Sequence, residues 1–163
     1  MGNSPTALNK RGNKVHCSDG YTFDSEKEHR FYHGFIRDCG FEFKVHPQYI
    51  LQPLLPLDEP AKMSQVAYTP DFVVFDEYHA MLHVYDVKNS FGPYGIDTGN
   101  KLRFKWFTAT FGIPVEAVVV RAHDFRVAAI GVTKQLNLDG KGKAPAPITR
   151  TDVNYSWHEA TNY

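Results

Sequence analysis

The sequence predicts an α/β domain, a central mixed β-sheet flanked by helices. Three observations predict it. Apolar residues recur at helical spacing from Ser25 to about Cys39 and again over Lys101–Phe111. Between them, strand-like runs cover Phe41–Val45, Val66–Phe75 and Met81–Lys88. The continuous apolar run Val115–Val120 then suits a strand buried on both faces. The order helix, strand, hairpin, helix, strand places one sheet between helical layers. A chain of 163 residues suits one domain with a sizeable core.

Each element has a local reason. Cys17–Thr22 reads as a short hairpin or turn with Asp19-Gly20 at its tip. The first helix follows Phe23-Asp24-Ser25. Phe31, Phe35, Ile36 and Cys39, with Tyr32, form its stripe, and Gly40 stops it. Phe41–Val45 alternates apolar and polar residues, and Tyr49-Ile50-Leu51 continues in an extended style past Pro47. Pro53, Pro56 and Pro60 mark a loop or excursion, because proline cannot donate to a central ladder. Asp76-Glu77-Tyr78-His79 forms the turn of a hairpin between the next two runs. Asn89–Asn100 holds three glycines and a proline and is expected as a mobile loop. Lys101–Phe111 carries an apolar face of Leu102, Trp106 and Ala109 and closes at Gly112, with Pro114 beyond. Phe125–Val132 is a further strand. Gly140–Pro147 reads as a linker into a polar tail, whose Tyr155, Trp157 and Tyr163 are expected to dock on the domain or on a partner subunit. These breaks divide the chain into an arm (1–19), a domain (20–133) and a linker with tail (134–163).

Composition narrows the function classes. The 42% hydrophobic and 14% aromatic content belongs to a folded chain. No run approaches the roughly 18 apolar residues of a membrane helix. Met1–Lys14 has no apolar stretch after its basic residues, so no secretory signal is expected and the cytoplasm is the expected compartment. Eighteen basic and eighteen acidic side chains cancel, which counts against coating nucleic acid through a global positive field. Cys17 and Cys39 form no Cys-x-x-Cys unit and are expected as reduced thiols. A four-ligand zinc site would have to recruit scattered histidines such as His16 or His29, and the eight histidines show no ligand spacing; most are expected on the surface or in packing.

The chemistry concentrates on two adjacent strands. Asp86 and Lys88 lie two apart, so their side chains leave the same face. An acid and an ammonium projecting from a core strand must pair, bind a metal or meet a substrate, because burying them alone is expensive. Asp71, in Tyr68-Thr69-Pro70-Asp71-Phe72, lies on the strand before. A hairpin with its tip at Asp76–His79 brings Asp71 and Asp86 roughly abreast. Two apposed carboxylates repel, which makes a divalent cation the natural third party. An all-oxygen site suits Mg²⁺, or Mn²⁺ as a substitute, better than zinc. Lys88 is placed to orient or deprotonate a water and to offset negative charge on a phosphoryl group.

Each residue also has a plainer reading. Ser25-Glu26-Lys27-Glu28 is a capping box, in which Glu28 bonds back to the Ser25 amide. Glu28 equally continues the stripe of Phe31 and Phe35, which turns its carboxylate toward the core. Asp71 alone could cap local amides, and Asp86 with Lys88 could be a solvated pair. Lys101 and Lys105 share a face at i, i+4 with Arg103 between them, and either contact phosphate or form a solvated face. Gln48 either faces the site or is simply exposed.

Pro70-Asp71, fourteen intervening residues, then Asp86-Val87-Lys88 resembles the signature of the PD-(D/E)xK nuclease superfamily. Glu28 on the first helix matches an acidic residue carried there in that superfamily. The run Phe23-Asp24-Ser25-Glu26-Lys27-Glu28, then His46-Pro47-Gln48 and Tyr68–Phe72, is similar to a phage-type branch of small, junction-resolvase-like endonucleases. The resemblance spans about Gly20–Val120 and has aspartate at Asp86 where glutamate is commoner. It implies a restriction-endonuclease-like domain with an α-β-β-β-α-β core. It implies a Mg²⁺-dependent DNA endonuclease in which Asp71 and Asp86 ligate metal, Lys88 positions water and Glu28 assists. Lys101, Arg103, Lys105 and Gln48 are the expected nucleic-acid contacts, without any organic cofactor. A phage or prophage role in DNA processing or recombination, on branched or duplex DNA, and a homodimer follow as expectations. Two other readings stay open: a non-catalytic nucleic-acid-binding or assembly module on the same fold, and a nuclease acting on RNA.

Overall fold

The structure, a computed structural model, describes residues 13–132 and 146–160. Strands β1 (Val15–His16) and β2 (Thr22–Phe23) form a small antiparallel hairpin. Its turn closes where the Gly20 amide donates to the Cys17 carbonyl at 3.1 Å, with Gly20 at φ +92°. Helix α1 (Glu26–Phe31) follows, with Ser25 as its N-cap. The helix expected to run from Ser25 to Cys39 stays α-helical for only these six residues and then widens into a π-helical turn, Tyr32–Ile36. There the Arg37 amide reaches back five residues to the Tyr32 carbonyl at 2.9 Å. Gly34, a poor helix former, sits inside this turn. Phe31, Tyr32 and Ile36 pack inward along this stretch.

Strand β3 (Glu42–Val45) ends at His46, whose left-handed φ of 49° turns the chain out of the sheet. Strands β4 (Tyr49–Gln52), β5 (Leu55–Pro56), β6 (Lys62–Met63) and β7 (Val66–Tyr68) then build an excursion in which β4 pairs with β7 and β5 with β6. The segment from Pro53 to Pro60, expected as a loop, thus carries one side of a short ribbon. The run Val66–Phe75, expected as one strand, is two: β7, and then β8 (Phe72–Phe75) in the main sheet. Pro70 offers no N–H to a ladder, and the chain changes sheets at Thr69-Pro70-Asp71. Strand β9 (Met81–Val87) returns through a turn in which Asp76 Oδ1 accepts from the Tyr78 and Ala80 amides.

Helix α2 (Thr98–Phe111) begins three residues before the expected start, because Asp97 caps it by accepting from the Asn100 amide at 2.7 Å. Gly112, at φ +74°, ends it as expected. Strands β10 (Glu116–Val120), β11 (Phe125–Ala129) and β12 (Ile148–Arg150) complete the sheet, and a 3₁₀ turn spans Trp157–Ala160.

The main sheet is six-stranded in the order β12-β11-β10-β9-β8-β3. Among the described residues only β9 and β10 pair in parallel in this sheet, joined by α2, so the sheet is mixed as expected. Alternation along β8 and β9 divides the interior. Phe72 and Tyr85 face the α1 side with Phe23, Phe31 and Phe125, whereas Val73 and Val84 face the α2 side with Phe104 and Phe107. The expected apolar face of α2 is corrected: Leu102 is 62% exposed and Ala109 is exposed, and Phe104 and Phe107 are the buried pair. Their rings meet Tyr68 at 5.7 and 5.6 Å, a contact that the smaller residues could not replace.

The tail does not stand apart from the domain. β12 pairs with β11, and Val153, Tyr155 and Ala160 are buried in the α1-side core. The expected boundary at residue 133 therefore leaves out a strand of the sheet. Tyr155 docks on the domain and Trp157 packs against the α2-side core, while Tyr163, most of the arm and most of the linker lie outside the described residues. Among the described residues no helix is long and apolar enough to cross a membrane.

Candidate functional site

The site forms where β7 leaves for β8, against the C-terminal end of β9. The Asp71 amide donates to the Tyr85 carbonyl at 3.0 Å, and the Asp71 carbonyl accepts from the His46 amide at 3.0 Å. Continuing the Phe72–Tyr85 register by one residue sets Asp71 opposite Asp86. Asp71 Oδ2 accepts from the Val87 amide at 2.6 Å, which fixes the carboxylate against β9. Asp86, only 6% exposed, accepts from the Tyr68 hydroxyl at 2.8 Å on Oδ2 and faces Lys88 Nζ at 2.5 Å on Oδ1. Lys88 is itself held in register, its amide donating to the Val118 carbonyl at 2.7 Å.

Glu28 joins from α1, where it caps the helix start and also faces the site, though its capping bond differs from the one expected. Ser25 Oγ accepts from the Glu28 amide at 3.2 Å, and Glu28 Oε1 accepts from the Ser25 hydroxyl at 3.0 Å. Oε2 takes the Asp24 amide at 3.1 Å, one residue earlier than the Ser25 amide of a capping box. The same Oε2 also lies 3.2 Å from His46 Nε2, and His46 Nε2 stands 4.0 Å from Asp71 Oδ1. Capping and site-facing roles therefore coexist in one buried carboxylate.

Electrostatics follow from this crowding. Burial, and then the Asp86 and Glu28 charges, push the Asp71 carboxyl well above the ordinary carboxylate range. The bond to Glu28 raises the His46 imidazole, and outweighs the burial that opposes it. Burial and then Asp86 raise Tyr68, so its hydroxyl stays protonated and donates.

Glu28, Tyr68, Asp71, Asp86, Lys88 and Arg103, with Asn100, line an open cleft of about 350 Å³. All four expected catalytic residues meet there, and of the expected nucleic-acid contacts Arg103 lines it. Lys101 is exposed outside the lining, as is Gln48. The Lys105 stem crosses Gly131, where an added Cβ would come within 2.8 Å of Lys105 Cγ. Sequence reasoning missed Tyr68 and His46 as site groups. Tyr68 stands just ahead of the Pro70-Asp71 motif, which is its only local signal. His46 reaches the site through a left-handed bend that no periodicity reveals, an exception to the expectation that most histidines pack or face solvent.

The donor set suits a hard divalent cation. Three carboxylates, Glu28, Asp71 and Asp86, converge on one cleft, and Asp71 holds a proton more tightly than a lone carboxyl would. Asp24, Glu28 and His46 also bring potential ligand atoms within 4.8 Å of one another beside it. A second group, Cys17, His29 and His33, does the same away from the cleft. That group corrects the expectation that the histidines lack ligand spacing, because His29 and His33 share a helical face while the β1–β2 turn supplies the thiol.

A buried His83–Glu116–Tyr155 set is not a second cleft. His83 Nδ1 lies 2.6 Å from Glu116 Oε2, His83 Nε2 lies 2.9 Å from the Val153 carbonyl, and the Tyr155 hydroxyl donates to Glu116 Oε1 at 2.7 Å. His83 and Glu116 are fully enclosed, so the set ties the tail to the sheet.

Fold and site together define a small α/β protein with a carboxylate-and-lysine cleft at the edge of a parallel strand pair. The chain belongs to the family described as Protein of unknown function (DUF1064), whose profile matches residues 9–127. That span contains every residue of the cleft and stops short of β12. No curated protein and no solved structure matches the chain.

Proposed function

We propose that the protein is a Mg²⁺-dependent nuclease of the PD-(D/E)xK class that hydrolyses DNA phosphodiester bonds. The observation that carries this reading is the pairing of Asp71 with Asp86 across β8 and β9, with Lys88 Nζ at 2.5 Å from Asp86 and Glu28 entering from α1. The order α1, β3, β8, β9, α2, β10 supports a restriction-endonuclease-like core, with β4–β7 as an excursion after its first strand.

Asp71 and Asp86 would hold the cation, with Mn²⁺ as a substitute. When bound there, it supplies Lewis-acid polarisation of a phosphoryl oxygen. Lys88, held against Asp86 Oδ1, positions the attacking water and offsets the negative charge that builds on the phosphoryl group. Tyr68 holds Asp86 in orientation, and Arg103 at the lip of the cleft offers a bidentate contact to a phosphate. The resemblance adds phage or prophage DNA processing on branched or duplex DNA in a bacterial cytoplasm, and a homodimer that cuts two strands.

Incubating duplex, single-stranded and four-way-junction DNA with the protein tests this, in Mg²⁺ or EDTA, beside single-stranded RNA. Cleavage of DNA that requires the metal supports the reading. Metal-independent cleavage, or full activity in Asp86→Ala, sinks it. Cleavage confined to RNA, or nucleic-acid binding without turnover, moves the assignment to one of the other two classes.

A further inference from the structure

Cys17, His29 and His33 converge outside the lining of the cleft, and the nuclease reading uses none of them. The β1–β2 turn presents the thiol: the Cys17 amide donates to the Tyr21 carbonyl at 2.9 Å, and the Cys17 carbonyl accepts from the Gly20 amide at 3.1 Å. His29, near the end of α1, and His33, in the π turn, stand four apart on one face, with ring centroids 4.5 Å apart and planes perpendicular. Cys17 Sγ lies 3.4 Å from His33 Nε2. Potential ligand atoms of all three residues lie within 4.8 Å of one another, and all three residues are half-buried.

We propose that Cys17, His29 and His33 form a Zn²⁺ site that clips the N-terminal hairpin to α1. A tetrahedral ion with ordinary Zn–S and Zn–N bonds separates its sulfur and nitrogen ligands by about 3.6 Å, close to the Cys17–His33 spacing. One thiolate and two imidazoles favour zinc over magnesium, and a water completes the fourth position. If His29 binds through Nε2, its Nδ1 keeps a proton and faces the Glu26 carboxylate, whose Oε1 stands 3.7 Å away, beyond hydrogen-bond length. Arg37 Nη1 now donates to His33 Nδ1 at 3.0 Å. Binding through Nε2 protonates that nitrogen, so Arg37 must turn aside, which its exposed position and its pairing with Asp38 allow. The clip sits on the same short helix as Glu28 and fixes its entry without touching the cleft.

Co²⁺ titration of the reduced full chain tests the site. The expected result is one equivalent that carries a thiolate-to-cobalt charge-transfer band and intense tetrahedral visible bands and is displaced by Zn²⁺; cobalt held by the Asp71–Asp86 cleft adds no thiolate band. Cys17→Ser removes the charge-transfer band, and His33→Gln lowers Zn²⁺ affinity at least about ten-fold. Cys39→Ser and Asp86→Asn leave both intact. In the wild type, Zn²⁺ slows alkylation of Cys17 and not of Cys39, a readout that needs no variant to fold. Absence of the thiolate band in the wild type, its survival in Cys17→Ser, or unchanged alkylation of Cys17 with Zn²⁺ overturns the proposal.

Discussion

Asp71 Oδ2 accepts the Val87 amide at 2.6 Å, one residue beyond Asp86. The strand that carries one carboxylate thereby pins the other, and neither can swing away to relieve their repulsion. The strain is electrostatic, and it sits between residues that the β8–β9 register makes neighbours.

That repulsion has a sign in stability. The folded Asp71 carboxyl is raised above its ordinary value by burial, Asp86 and Glu28, so the native state holds this proton more tightly than the unfolded chain does. The penalty is complete above the folded pKa and vanishes as pH falls below the unfolded one. In EDTA at neutral pH, Asp71→Asn should melt higher than wild type, with the gap closing on acidification. Thermal melts across pH check this, and a lower melting point for the variant at neutral pH contradicts it.

His46 works in the opposite direction. Its bond to Glu28 raises the folded pKa above 6.5, so its contribution is complete below that value and is lost as pH rises through the raised one. The stability difference between wild type and His46→Gln should be largest in mild acid and shrink toward alkaline pH. Urea titrations at several pH values measure it, and a difference that grows with pH would exclude the Glu28 bond as its source.

The inward stripe of α2 is tested by two truncations. Phe104→Ala should cost about 3–5 kcal/mol, because a fully buried ring is deleted from the core. Leu102→Ala, at 62% exposure, should stay within about 0.5 kcal/mol of wild type. Chemical denaturation distinguishes them, and equal losses would return Leu102 to the core.

The tail latch is tested at positions remote from the cleft. Glu116→Ala leaves His83 Nδ1 and the Tyr155 hydroxyl without their carboxylate partner in a buried site and should cost about 1–3 kcal/mol for each group left unpaired. Tyr155→Phe removes two hydrogen bonds but keeps the ring, and should cost about 1–3 kcal/mol. Hydrogen exchange at Val127 and Ile148, which pair across β11 and β12, should rise in both. Unchanged exchange there would separate the network from the tail.

Much of the cleft was legible because a period of two and a hairpin turn are local signals. Asp71, Asp86 and Lys88 needed only the turn at Asp76–His79 and the rule that alternate residues share a face. Glu28 needed only the stripe of Phe31. What stayed hidden depends on contacts distant in sequence. His46 enters through a bend, Tyr68 through a change of sheet at Pro70, and β12 through a pairing with β11 that begins beyond the linker. The π turn was masked because Tyr32, Phe35 and Ile36 satisfy an α-helical stripe nearly as well. Cys17 met His29 and His33 only once the β1–β2 hairpin folded back on α1.

The most direct test compares wild type, Lys88→Met and Asp86→Ala for Mn²⁺ binding by calorimetry and for DNA cleavage in Mg²⁺. The account predicts that Lys88→Met keeps metal binding and loses at least about 100-fold in cleavage rate, while Asp86→Ala loses both. Cleavage that persists at the wild-type rate in either variant, or that proceeds in EDTA, would contradict it.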